Sequence, residues 1–357
     1  MKFIKITFVL FILAIIGISS LSYWFYSSLN TPHEHDKASQ FIIIEKGSTP
    51  AGIIAKLAEE GVLNSPFATQ TYLKLLSNAE NLQAGEYQFP SPITPLQVLK
   101  ELENGEVRTI KLTIPEGFTR FDISKRIAEK FPQNPPVDDK QILLLMEDAS
   151  LLNDIVPNAE NLEGYMYPST YSFPRETRPV EIVRTMVEQF KKIWKPEWTV
   201  QARQIGRSPH EIVTIASLIE TESKFDAERA IVASVIYNRL AKKIPLGIDQ
   251  TAVYIAKMQN RWDGTINKSD LEIDSPYNTR RFGGIPPGPI SSVTESSISA
   301  ALNPAQTDYI YYVLNVQAND GSHRFYASAS EFEKGKGEYQ RWLEQQRKEM
   351  REQQNNN

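Results

Sequence analysis

Cysteine is absent from all 357 residues, which removes disulfides, thiol nucleophiles and thiolate metal sites from consideration. Histidine is almost as scarce, with four in the chain: His33, His35, His210 and His323. The stretch "HEIVT" at 210–214 begins as a zinc-protease helix does, but Thr214 stands where the second ligand is needed. No metal site and no cofactor is expected. The chain also lacks any basic excess; its formal net charge is −4, so nothing argues for a nucleic-acid partner, which calls for a clustered basic surface. No Gly-x-Ser-x-Gly elbow, P-loop or dinucleotide fingerprint occurs, which sets aside the commonest hydrolase and nucleotide-binding designs. The length suits two domains of ordinary globular composition.

Long apolar runs are missing everywhere except at the N-terminus. There, "MKFIKITFVLFILAIIGISSLSYWFYSSLN" carries Lys2 and Lys5 and then no charge until Glu34. The run from Ile6 to Tyr26 is long enough to cross a bilayer, given about 20 apolar residues for a hydrocarbon core of roughly 30 Å. Tyr23, Trp24, Phe25 and Tyr26 at its far end form an interfacial aromatic belt, and the two lysines favour an N-terminus inside. A cleaved signal peptide is the rival; it needs a shorter apolar core and a small-x-small site, where bulky aromatics follow instead. The expected layout is a cytoplasmic N-terminus at 1–5, a single membrane-spanning helix at 6–28, a flexible linker at 29–40, and everything else outside the plasma (inner) membrane.

Beyond the linker, "FIIIEKGSTPAGIIAKLAEEGVL" reads as a strand, a turn and an amphipathic helix. Pro50 fits the first helical turn, Ser48 or Thr49 the cap, and Gly61 the end. "LQAGEYQFPSPITPLQVLKELENGEV" repeats the plan. The two units make a small α+β module over 41–109 that resembles LysM-type glycan-binding units; a spacer domain is the plainer reading. The segment 110–340 opens with another strand and helix, passes through the aromatic-rich "NLEGYMYPSTYSFP" at 161–174, and continues with helices near 179–195, 209–224 and 226–243. The tail at 341–357 is polar, charged and helical, ending in asparagines.

The chemistry is concentrated in "SLIETESKF" at 217–225. Residues two apart on a helix point to different sides. Ile212, Ile215, Leu218, Ile219 and Phe225 gather on one side, with Glu222 inside that stripe and Glu220 toward the polar face. A glutamate in an apolar stripe loses hydration and its pKa rises, which suits a general acid near neutral pH. Glu220 reads as supporting or solvated. A buried ion pair of Glu222 with Arg229 or Arg239 explains the position equally well on periodicity alone. In the following helix, "DAERAIVASVIYNRL", Asp226 can cap the N-terminus and Asn238 again sets a polar group on an apolar face.

Taken in order, "LEGYMYPSTY", "ASLIETES", "VASVIYNRL", "LGIDQT", "SPYNTR" and "GGIPPGPI" resemble the YceG-like (MltG) family of endolytic murein transglycosylases, from about Phe41 to Tyr339. Thr221 departs from a usually basic position, and Gly247 and Gln250 soften the "LGIDQT" motif. The resemblance implies a mainly helical, lysozyme-like catalytic domain with β insertions over 110–340, giving an α+β fold overall. It implies a lyase that cleaves MurNAc–GlcNAc bonds within peptidoglycan strands to leave 1,6-anhydro-MurNAc ends, with Glu222 as the catalytic residue. Glu220, Ser223, Asn238, Asp249, Tyr254, Tyr277 and Asn278 are assigned to substrate contacts by resemblance alone. Expected partners are peptidoglycan strands, the membrane through the first helix, and penicillin-binding protein synthases. Two other readings stay open: a silent glycan-binding scaffold, and a lysozyme-type hydrolase using Asp249 or Glu163 as its second carboxylate.

Overall fold

A computed structural model describes residues 2–45, 47–76, 82–105, 109–133 and 135–355. It is α+β and mostly helical, with small sheets, and divides into two compact units, Met1–Ile110 and Lys111–Asn357.

The first unit opens with α1 (Lys2–Asn30), within which Leu10–Asn30 is long and apolar enough to cross a membrane. β1 (Ile42–Ile44), α2 (Pro50–Glu59), α3 (Pro66–Leu75), β2 (Gly85–Tyr87) and α4 (Pro95–Asn104) follow. The strands pair antiparallel, Ile42 opposite Tyr87 and Ile44 opposite Gly85. Alternation sends Ile42 and Ile44 inward, where they meet Ile53, Ile54, Leu57, Val98, Leu99 and Leu102 from α2 and α4. Thr49 is the cap of α2, accepting the Gly52 N–H at 3.1 Å. Thr94 and Gln97 form a capping box on α4, satisfying donors that a helix start leaves open.

Two features depart from the sequence reading. α3 went unrecognised, because its inward residues are only Ala68, Thr69 and Leu73, too few to print an apolar stripe. The polar stretch after α1 is not a flexible linker. Leu29 is buried, His33 and Ile93 exchange both backbone hydrogen bonds at 2.8 and 3.0 Å, and the His33 and His35 rings bond to the Gly61 and Pro90 carbonyls.

β3 (Thr109–Thr113) runs across the boundary, and the second unit goes on with α5 (Arg120–Lys130), α6 (Asp139–Leu145), β4 (Thr170–Pro174), α7 (Pro179–Ile193), α8 (Pro196–Gln204), α9 (Pro209–Glu222), α10 (Asp226–Ala241), α11 (Gln250–Met258), α12 (Lys268–Leu271), α13 (Glu295–Leu302), β5 (Tyr311–Leu314), β6 (His323–Tyr326) and α14 (Ala329–Asn355). β3 pairs with β4, and β5 pairs antiparallel with β6. The last two asparagines of the tail lie outside the described residues.

α9 is the axis of this unit, packed against α13, α10, α8 and α11. Every residue from Ile212 to Glu220 is buried, so the helix has no solvated face. Its polar members survive burial by bonding to backbone: Thr214 to the His210 carbonyl at 2.8 Å and Ser217 to the Thr214 carbonyl at 2.7 Å. Ser217 Oγ also accepts the Ile290 N–H at 3.0 Å, fixing the "GGIPPGPI" loop to the helix. That loop meets the "LEGYMYP" loop at Gly164, whose φ is +84° and where a Cβ would lie 2.5 Å from Pro289. Only glycine meets both demands.

Candidate active site

Glu222 is the last residue of α9 and Ser223 its cap, extended at φ −118°, ψ 121°. The chain therefore leaves the helix one residue after the carboxylate. Glu222 is half-buried, and burial raises its pKa, with the negative charge of Asp249 adding to the effect. A hydrogen bond from Tyr312 and the charges of His323 and Arg239 oppose the rise. The Tyr312 hydroxyl donates to Glu222 Oε2 at 2.6 Å.

Tyr312 is delivered by the β5–β6 hairpin, and α10 holds that hairpin. Glu228 on α10 accepts the His323 backbone N–H at 2.8 Å and bonds its Nδ1 at 2.9 Å. The His323 ring meets Tyr312 edge-on, centroids 5.4 Å apart. Asn238 donates to the carbonyls of Thr307 and Tyr309 at 2.7 and 2.9 Å. Arg239 donates to the Ile310 and Leu246 carbonyls, both at 2.6 Å, and its guanidinium lies 5.4 Å from the centre of the Tyr311 ring. Burial lowers the pKa of Arg239. Bound to carbonyls rather than a carboxylate, it places positive charge beside Glu222 without forming the ion pair that periodicity allowed.

Asp249 precedes α11 and pairs with Arg280, whose Nε donates to Oδ1 at 2.6 Å. Asn278 is fully buried; it donates to the Leu271 and Ile273 carbonyls and accepts the Arg280 N–H at 3.1 Å. It shapes the loop that carries Arg280 rather than facing solvent.

Glu220 occupies a different environment. Its side chain is 2% exposed and ion-paired to Arg229 at 2.8 Å, while Thr294 donates to Oε2 from its backbone N–H at 2.8 Å and its hydroxyl at 2.7 Å. Arg229 is thus the partner of the other glutamate, and the expectation of a solvated Glu220 is corrected: α9 has no polar face to place it on. Asp226 does not cap α10; it sits 2.9 Å from Arg229 Nε, without hydrogen-bond alignment. Ser223 is buried, its hydroxyl donating to the Phe225 carbonyl at 2.9 Å.

Tyr254 and Tyr277 belong to a separate cluster, their rings 5.0 Å apart. Glu163 is there, 1% exposed, accepting the Arg120 backbone N–H at 3.1 and 3.2 Å. Burial pushes its pKa up to about 8. The Arg120 guanidinium does not reverse this, because its Nε stands 3.9 Å away and makes no hydrogen bond.

Of the residues assigned from the sequence, the structure therefore brings Asp249 into the surroundings of Glu222. Glu220, Ser223, Asn238 and Asn278 have their polar groups committed inside the protein. Sequence reasoning missed Tyr312, His323 and Glu228. A signal existed: "YYVLNVQANDGSHRFY" sets two aromatic runs around Asn319 and Gly321, both at positive φ, the pattern of a hairpin. A cavity of about 950 Å³ opens elsewhere, beside Trp194, Arg203, Arg207 and His210; none of the Glu222 neighbours named above lines it.

Residues 42–338 match the family model described as YceG-like. The chain belongs to the YceG-like family. It is similar to the endolytic murein transglycosylase of Bacillus subtilis (strain 168), 33% identical over 329 residues, which cover 87% of this chain and 88% of the relative. A protein of the same description from Streptococcus pneumoniae is 27% identical over 76% of this chain, which spans about half (54%) of that longer relative. The crystal structure of a putative YceG-like protein from Listeria monocytogenes is similar at 30% identity and a TM-score of 0.56, covering 82% of this chain and 97% of that one.

Proposed function

We propose that this chain is a membrane-anchored endolytic murein transglycosylase that cleaves MurNAc–GlcNAc bonds inside glycan strands and ends the elongation of nascent strands. The observation that carries the reading is a partly desolvated glutamate at a helix end, with one oxygen bonded to Tyr312 and no donor to the other among the described residues. Protonated Glu222 donates to the glycosidic oxygen as the bond to C1 breaks. Its carboxylate then takes the proton of the MurNAc C6 hydroxyl, which closes on C1 to form the 1,6-anhydro end. The nucleophile comes from the substrate itself, so orientation stands in for a bound water and lowers the barrier by several kcal/mol, a fraction of the ~7–11 kcal/mol available to ideal intramolecular reactions.

A hydrolase needs a second carboxylate as nucleophile or base. Glu163 is enclosed with Arg120 and the two tyrosines, and Asp249 is clamped by Arg280. The field of Asp249 does reach Glu222, which keeps it as the one candidate for that alternative. Mass analysis of fragments released from purified sacculi decides. Anhydro ends, lighter by one water than reducing ends, are the expected product. Reducing ends transfer the reading to a hydrolase, and glycan binding without cleavage transfers it to a scaffold.

In the same reading α1 spans the plasma membrane with its N-terminus inside, and the unit after it is LysM-like. Two helices between two antiparallel strands support the latter. The second unit is lysozyme-like, its acid at the end of a buried helix, and penicillin-binding protein synthases are the expected partners. A reporter fused after Asn357 should be active only outside the cytoplasm; activity inside sinks the proposed topology.

A further inference from the structure

The outward face of α3 is apolar in a way the first unit's own packing does not explain. Phe67 and Leu75 are 72% and 73% exposed, and Leu76 directly after the helix is 68% exposed. Phe67, Thr71, Lys74 and Leu75 fall within an arc of about 100° at helical spacing, opposite the buried Thr69 and Leu73 and with the buried Ala68 at its edge. Thr71 adds no free polarity, because its hydroxyl donates to the Phe67 carbonyl at 2.8 Å.

The same unit supplies a depth marker. The Phe67 ring meets the Trp24 ring with centroids 6.5 Å apart. Trp24 stands in the aromatic belt at the far end of the apolar run, where such rings settle at headgroup level. A ring touching it shares that level. The unit cannot swing away, since Leu29 is buried and the His33–Ile93 bridge and the His33 and His35 ring bonds hold the chain directly after α1.

We propose that the α3 face rests in the membrane interface, with Phe67 inserted beside Trp24 at the boundary of headgroups and acyl chains and Lys74 among the phosphates. This rests on the reading of α1 as a membrane span. Apolar side chains on a polar-flanked helix bind lipid in this way, and exposed patches of this kind otherwise mark contact surfaces. α2 ends close to His33: the Gly61 carbonyl, just past the helix, bonds the His33 ring at 3.1 Å. His33 lies past the end of α1, whose last residue, Asn30, stands about 9 Å farther along the helix than Trp24, so the contact with His33 ties the Gly61 end to the outer side of Trp24.

The absence of native cysteine makes the test direct. The full chain, reconstituted in phosphatidylethanolamine–phosphatidylglycerol vesicles, carries one environment-sensitive fluorophore on a single introduced cysteine: Trp24→Cys, Phe67→Cys, Thr71→Cys or Glu59→Cys. Lipids with a nitroxide at shallow depth serve as quencher. Positions 24, 67 and 71 should be quenched to a similar extent, and position 59, near the end of α2, should stay bright. The decisive variant is Thr71→Cys, which leaves Phe67 in place. A label at 71 as bright as that at 59, with 24 quenched, overturns the α3 proposal and leaves the span intact. A bright label at 24 overturns both. Equal quenching at 59 and 71 overturns it too, because contact is then not confined to this face.

Discussion

Tyr312 donates its phenolic hydrogen to Oε2 of Glu222 at 2.6 Å, across 90 residues of sequence. With Oε2 acting as acceptor, the proton that the proposed mechanism needs on Glu222 would sit on Oε1, so in that mechanism the hydroxyl selects which oxygen delivers it. Tyr312→Phe should leave folding intact and reduce kcat by roughly tenfold, below the ~100-fold or more assigned to the acid itself. The bond also favours the carboxylate. Its loss raises the Glu222 pKa, and the alkaline limb of the pH–rate profile should move upward. An unchanged profile removes Tyr312 from the chemistry.

The two glutamates of the "ETE" run should part company in a paired experiment. Glu222→Gln keeps shape but cannot transfer a proton, so strand cleavage should fall at least about a hundredfold, with a melting temperature equal to or above the parent's. Glu220→Gln leaves the buried Arg229, among the described residues, with the exposed Asp226 at 2.9 Å and the exposed Glu116 at 3.8 Å as anionic partners. It should cost on the order of 3 kcal/mol, a fall in Tm of roughly 6–12 °C for a unit of this size, while protein that remains folded still turns over. Dead, fully stable Glu220→Gln beside active Glu222→Gln reverses the assignment.

Neutralising Asp249 separates lyase from hydrolase. Its charge raises the Glu222 pKa, so Asp249→Asn should lower that pKa and shift the alkaline limb toward acid. Anhydro products should persist at a reduced rate. If reducing-end products are found in the parent and vanish with Asp249→Asn, Asp249 is a second catalytic carboxylate.

Glu163 should register in stability rather than in product. Its folded pKa of about 8 lies above its ordinary value of 4.5. Between those values the folded protein holds a proton that the unfolded chain has released, so stability falls as pH rises across that window. Glu163→Gln does not titrate. Its unfolding free energy relative to the parent should climb from pH 5 to pH 8 and level off above, reaching a difference on the order of a few kcal/mol, read from denaturant melts at each pH. A pH-independent difference means that Glu163 is charged throughout.

Local signals in the sequence were legible where one short segment carried them. Pro50 after Thr49 marked a helix start, and the alternating Ile42 and Ile44 marked a strand. Glu222 stood out as a carboxylate among apolar neighbours. The environment of Glu220 was not legible, because the partners that bury it, Arg229 and Thr294, come from helices whose docking no periodicity encodes. α9 also looked amphipathic only because Thr214 and Ser217 count as polar, whereas both are satisfied by backbone within or beside the helix. The "linker" was polar for a similar reason: its histidines bond to carbonyls of the folded unit. Tyr312 and His323 were missed because nothing local ties residues 90 or more positions downstream to a helix end.

The hairpin that completes the site has a consequence for timing. Synthesis reaches Glu222 well before it reaches Tyr312 and His323, and α10 must already be in place to receive them through Glu228, Asn238 and Arg239. A chain interrupted between residues 222 and 312 contains the helix that bears the proposed acid yet lacks the hydroxyl that bonds it. On the proposed reading, half-made molecules cut poorly, because the hydroxyl that orients the acid arrives with one of the last segments to emerge.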